Sequence, residues 1–82
     1  MIERTITANI NVEARLAAHF VQIASKFKST IFVKVDDKKV NAKSIMGIIS
    51  IGILRGQQLT IISEGSDAED AIYALQGFFA EN

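Results

Sequence analysis

Apolar residues recur at two different periods along this chain, and the switches between them mark out its elements. From Ile2 to Ala8 the period is two. Ile2, Ile6 and Ala8 fall on one face and Glu3, Thr5 and Thr7 on the other, which predicts a strand. Asn9 to Val12 reads as a loop. Beyond it Leu16, Ala17, Phe20, Val21, Ala24 and Phe27 share one helical stripe, so an amphipathic helix is predicted over residues 14–27. Lys26 and Lys28 fall at its C-terminal end, where cations suit the helix dipole. Thr30 to Val35 is rich in β-formers, Asp36-Asp37 supplies turn chemistry, and Lys38 to Ala42 returns as the other arm of a hairpin. A further strand is predicted from Gln57 to Glu64, with Leu59 and Ile61 on one face. Ser66-Asp67-Ala68-Glu69 then matches a capping box, and Ala68, Ala71, Ile72, Leu75, Phe78 and Phe79 form the stripe of a last helix.

Between the hairpin and the last strand lies Lys43-Ser44-Ile45-Met46-Gly47-Ile48-Ile49-Ser50-Ile51-Gly52, which fits neither period cleanly. Ser44 reads as the N-cap of a short helix and Gly52 as its stop. About two turns offer one face to a core, and Ile48 and Ile51, three apart, share it. Ile45, Met46 and Ile49 are then expected outside, around the serine. A hydroxyl at a helix N-terminus, beside Lys43 and an apolar patch, describes a docking surface that a phosphate could switch.

The predicted order is β-α-β-β-α-β-α, an α+β open-faced sandwich of two layers, with a four-stranded, largely antiparallel sheet and helices on one face. Eighty-two residues are expected to make one domain, residues 1–82, with no room for a deep enclosed pocket. Nearly half the residues are hydrophobic and none is proline, which excludes a disordered chain. No apolar run approaches the roughly 20 residues that span a bilayer, and no signal pattern opens the chain. The expectation is a cytoplasmic protein without membrane insertion.

Charge changes the picture because it is segregated. Residues 1–56 hold all nine Lys and Arg against four acids, and residues 57–82 hold five acids and no base. Such an asymmetry favours oriented docking to a charged protein partner over general polyanion binding. Lys34, Lys38, Lys39 and Lys43 gather around the hairpin, but Phe32 is their only aromatic neighbour, so no direct nucleic-acid contact is expected.

Candidate chemistry is sparse. With no cysteine and one histidine, His19, a zinc site of any common type is excluded and no metal or cofactor is expected. No phosphate-cradling glycine motif occurs, and no nucleophile–base pair can be assembled, so an enzyme is not expected. His19 falls at the margin of the first helix stripe, a surface histidine or a partner contact.

The 43–52 stretch, preceded by Lys39-Val40-Asn41-Ala42, resembles the regulatory-serine region of HPr, the histidine-containing phosphocarrier family of the bacterial sugar phosphotransferase system. The predicted element order is that family's, and the resemblance covers essentially the whole chain. Where the family's active-site loop reads Gly-φ-His-Ala-Arg-Pro-Ala, with φ apolar or variable, this chain reads Asn11-Val12-Glu13-Ala14-Arg15-Leu16-Ala17. Glu13 therefore occupies the phospho-acceptor position and Leu16 the proline's, while the phosphate-facing Arg15 is kept. A carboxylate cannot form a phosphoramidate, and no support for an acyl phosphate is visible. His19 lies about 6 Å further along the helix axis, too far to substitute directly. The chain is similar in this to the Crh branch of the family, which lacks the histidine and keeps the serine.

The resemblance implies phosphorylation of Ser44 by an ATP-dependent HPr kinase/phosphorylase. It implies as partner a LacI-type catabolite-control repressor, with Enzyme I-like or sugar-permease domains as further candidates. Lys43 and Arg15 are expected to face the phosphate, and Leu16, His19, Ile45, Met46 and Ile49 to meet partners. Replacing Ser44 with alanine is expected to leave thermal stability nearly unchanged. A carrier using Glu13 or His19, or a constitutive binding module, are the alternatives.

Overall fold

A computed structural model describes residues 1–82, in the order β1 (Ile2–Thr7), α1 (Ala14–Ser25), β2 (Thr30–Val35), β3 (Lys38–Asn41), α2 (Ile45–Ile51), β4 (Gln58–Glu64) and α3 (Ala68–Glu81). The strands form one fully antiparallel sheet in the order β1-β4-β2-β3. Period-two alternation decides which face is covered. Ile31, Val33 and Val35 on β2 and Leu59, Ile61 and Ser63 on β4 are buried beneath the helices, with Val33 opposite Ile61 and Ile31 opposite Ser63. The intervening residues face solvent. The hairpin between β2 and β3 closes at Asp36, whose φ of 54° is left-handed, a conformation aspartate tolerates.

The helices lie side by side on the covered face. α1 is in the middle, packed against α2 and α3; α2 lies over β3, and α3 over β4 and β1. Phe20 of α1 meets Phe78 and Phe79 of α3 edge to face, at centroid distances of 5.3 and 6.1 Å.

Three strands are one residue shorter than predicted, ending at Thr7 and Asn41 and starting at Gln58, and two helix boundaries shift, each for a local reason. α1 ends at Ser25, not residue 27, because Lys26 N–H and Phe27 N–H donate back to the Ile23 and Ala24 carbonyls and tighten the last turn. Phe27 still packs against the core, and Lys26 and Lys28 lie past the helix. The capping box at Ser66 does not form. The N-cap of α3 is Asp67, and its carboxylate turns away from the helix to accept from Lys28 N–H, Ser29 N–H and the Ser29 hydroxyl. These bonds, those to Ser29 first, hold the Asp67 carboxyl below its ordinary pKa. Gly65 makes this knot possible: at φ 148°, a Cβ there would stand 2.6 Å from the Ser29 hydroxyl oxygen.

Candidate functional site

The predicted site residues occupy the two ends of the α1–α2 pair. At one end the β1–α1 loop is laced to the α2–β4 loop. Val12 N–H donates to the Ile53 carbonyl at 2.9 Å, Gly56 N–H to that of Ala8 at 2.7 Å, and Arg55 N–H to the Asn11 side chain at 2.8 Å. This lacing fixes where α1 begins. Glu13 is its N-cap, in extended conformation, and its carboxylate caps nothing. Glu13, Ala14 and Arg15 are exposed. The first intrahelical bond runs from Ala17 N–H to the Glu13 carbonyl, so the N–H groups of Arg15 and Leu16 have no helical acceptor.

At the other end Ser44 caps α2 with its side chain. The hydroxyl oxygen accepts from Gly47 N–H at 3.0 Å, and the Ser44 carbonyl accepts from Ile48 N–H at 3.0 Å. Gly47 keeps this corner uncrowded: a Cβ there would approach the Ser44 hydroxyl and Val40 to 3.2 Å, a tight contact. The helix turns Ile48 and Ile51 into the core. It leaves Ile45, Met46 and Ile49 exposed at 44, 73 and 40%. That patch rims a half-buried hydroxyl, as the two-turn pattern predicts.

In the unmodified chain neither Lys43 nor Arg15 hydrogen-bonds the Ser44 hydroxyl, which accepts from Gly47 N–H. The Lys43 ammonium donates to the Phe27 carbonyl at 2.7 Å, just past the C-terminus of α1. Together with the Val12–Ile53 bond this makes α1 and α2 run antiparallel. Ser44 therefore sits by the C-terminal end of α1, while Arg15 sits by the C-terminal end of α2. The seven residues of α2 separate the two ends by about 10 Å. In the unmodified chain the Lys43 ammonium is engaged by the Phe27 carbonyl, and Arg15 starts from the opposite end of α2.

The five expected contact residues come from two helices, Leu16 and His19 from α1 and Ile45, Met46 and Ile49 from α2. His19 is exposed but lies edge-on to Phe78 at 5.6 Å, on the α3 flank of α1. Leu16, three residues earlier on the same flank, is half-buried against the core. α2 packs against α1 as well, and on it Ile45, Met46 and Ile49 are exposed. Sequence reasoning missed two structural participants, Phe27 and Asp67. The backbone carbonyl that holds Lys43 carries no sequence signal at all.

This fold, with a capped serine at one helix and an arginine in the first turn of another, is that of a phosphotransferase-system phosphocarrier domain. The sequence model described as "PTS HPr component phosphorylation site" matches residues 2–81, and the chain belongs to the HPr family. It is 46% identical over 80 residues, 95% of each chain, to the HPr-like protein Crh of Halalkalibacterium halodurans. It is 39% identical over 83 residues to the HPr-like protein Crh of Bacillus subtilis, covering 99% of this chain and 98% of that one. The crystal structure of the phosphocarrier protein HPr from Bacillus anthracis superposes with a TM-score of 0.90 at 45% identity, covering 95% of both chains. The fold class and the family resemblance are thus as the sequence predicts. No helix is long and apolar enough to cross a membrane.

Proposed function

We propose that this chain is a regulatory member of the HPr family, switched by phosphorylation at Ser44, in which phosphorelay through the histidine position has been lost. The observation that carries the reading is the contrast in side-chain chemistry. Ser44 is a formed cap beside an exposed apolar patch, whereas Glu13, exposed at the position that the family's histidine would take, makes no cap bond with its carboxylate.

In the proposed step an HPr kinase/phosphorylase moves the γ-phosphoryl group of ATP to the Ser44 hydroxyl oxygen. The new O–P bond replaces the bond to ADP, and the hydroxyl proton leaves. Nearly two negative charges then border Ile45, Met46 and Ile49. Since Arg15 lies at the far end of α2, phosphate and guanidinium do not neutralise each other. They frame the apolar patch as separate contact charges for a protein partner with an anion pocket at one side and an acidic group at the other. A LacI-type catabolite-control repressor is the partner the family resemblance supports.

Binding of the repressor to phosphorylated protein, unphosphorylated protein and Ser44→Ala, measured by calorimetry, tests this. Phosphorylation should tighten binding by tenfold or more, about 1.4 kcal/mol, and Ser44→Ala should behave as unphosphorylated protein. A Ser44→Ala protein that binds as tightly as the phosphorylated one would overturn the reading.

A further inference from the structure

One peptide group, joining Phe27 to Lys28, is held between opposite charges. Its carbonyl accepts from the Lys43 ammonium at 2.7 Å, and its N–H donates to the Asp67 carboxylate at 2.9 Å. The second oxygen of Asp67 accepts from Ser29 N–H, also at 2.9 Å. Lys43 immediately precedes Ser44, and Asp67 is the N-cap of α3. The start of α2 and the start of α3, on opposite flanks of α1, are therefore connected through a single amide. A cation on the oxygen and an anion on the hydrogen polarise that amide in the same sense, so each bond strengthens the other.

We propose that phosphorylation at Ser44 draws the Lys43 ammonium off the Phe27 carbonyl, and that the release is felt at Asp67 and the start of α3. This deepens the regulation of the Ser44 site and rests on that residue being modified. The driving force is the difference between two acceptors. A carbonyl offers a partial charge, whereas the phosphate on the adjacent residue offers nearly two full charges to the same flexible ammonium. With Lys43 gone the peptide loses its polarising cation, and Lys28 N–H becomes a weaker donor to Asp67. The modification then changes two surfaces, the rim of the α2 patch and the α1–β2 turn against α3.

The test installs phosphoserine at position 44 during translation of the full chain, so no kinase need recognise it. The Lys28 and Ser29 amides are followed by NMR and deuterium exchange in wild type, Lys43→Arg and Lys43→Met, each with serine or phosphoserine. In wild type and Lys43→Arg, phosphoserine should shift the Lys28 resonance and raise exchange at Lys28 and Ser29 roughly tenfold. Lys43→Met should show that shift without phosphate, and phosphoserine should move it no further. A Lys28 resonance unmoved by phosphoserine in wild type, or moved equally in Lys43→Met, would overturn the relay. Refusal by a kinase would instead bear only on whether Ser44 is the physiological site.

Discussion

At the Ser44 end of the α1–α2 pair, side chains complete the structure. The serine hydroxyl caps Gly47, the lysine before it closes on Phe27, and Asp67 grips the same peptide from the other side. At the Glu13 end, backbone groups do almost everything. Val12, Ala8 and Gly56 lace the loops through main-chain bonds, with the Asn11 side chain as the one addition, and the residue at the acceptor position contributes only its carbonyl. The two ends therefore have different tolerance for change. An acceptor position scaffolded by backbone can exchange its side chain without disturbing the fold. A serine that is both cap and candidate phosphate acceptor cannot be exchanged without structural cost.

The comparison can be broken by restoring what the Glu13 end lacks. The Leu16 N–H has no helical acceptor, so proline there removes no intrahelical bond. Glu13→His with Leu16→Pro should fold normally and acquire label from phosphoenolpyruvate and Enzyme I, read by intact mass. Continued silence would mean that more than the acceptor has gone. Next in size is Gly65→Ala. A left-handed φ and a Cβ inside contact distance of Ser29 should cost on the order of 3 kcal/mol in thermal unfolding, and a neutral result would refute the knot that seats Asp67.

Smaller effects sharpen the picture. Ser44→Ala should lose about 1 kcal/mol through the cap, lowering the melting temperature by about 4–8 °C. This corrects the sequence-based expectation of unchanged stability, since the hydroxyl demonstrably accepts a backbone bond. Ser44→Asp should recover most of the loss. The smallest effect is acid sensitivity. The folded Asp67 carboxyl titrates below its unfolded value, so its stabilisation is complete above the unfolded pKa of about 3.9 and disappears as pH falls through the lower folded value. Asp67→Asn should remove that part of the acid dependence of unfolding; an unchanged profile would deny Asp67 its role.

Much of this fold is legible because periodicity reports burial directly. Ala17, Phe20, Val21 and Ala24 of the α1 stripe, Leu59 and Ile61 on one face of β4, and the inward pair Ile48 and Ile51 all read correctly from spacing. Ser63 shows where such reading stops. It continues the inward face of β4 and is fully buried with an unpartnered hydroxyl, a placement that residue chemistry alone argues against. Ser66 and Asp67 show a second limit: a capping box is a local motif, and here the N-cap falls one residue later, at Asp67, whose carboxylate is engaged by the α1–β2 turn. The site residues were legible one by one, through their neighbours in the chain. Their mutual arrangement was not, because the antiparallel course of α1 and α2 is set by backbone bonds between distant loops. Spacing alone could not show that Arg15 starts from the end of α2 opposite Ser44, or that the Lys43 ammonium rests on the Phe27 carbonyl while the serine is unmodified.

On the proposed reading the chain has kept the serine switch and left the relay. Its most direct test is intact-mass and peptide-mapping mass spectrometry after two incubations, one with ATP and an HPr kinase, the other with phosphoenolpyruvate and Enzyme I. One phosphate on Ser44 is expected in the first and none in the second. Label on Glu13 or His19 in the second incubation would contradict it and make this protein a carrier.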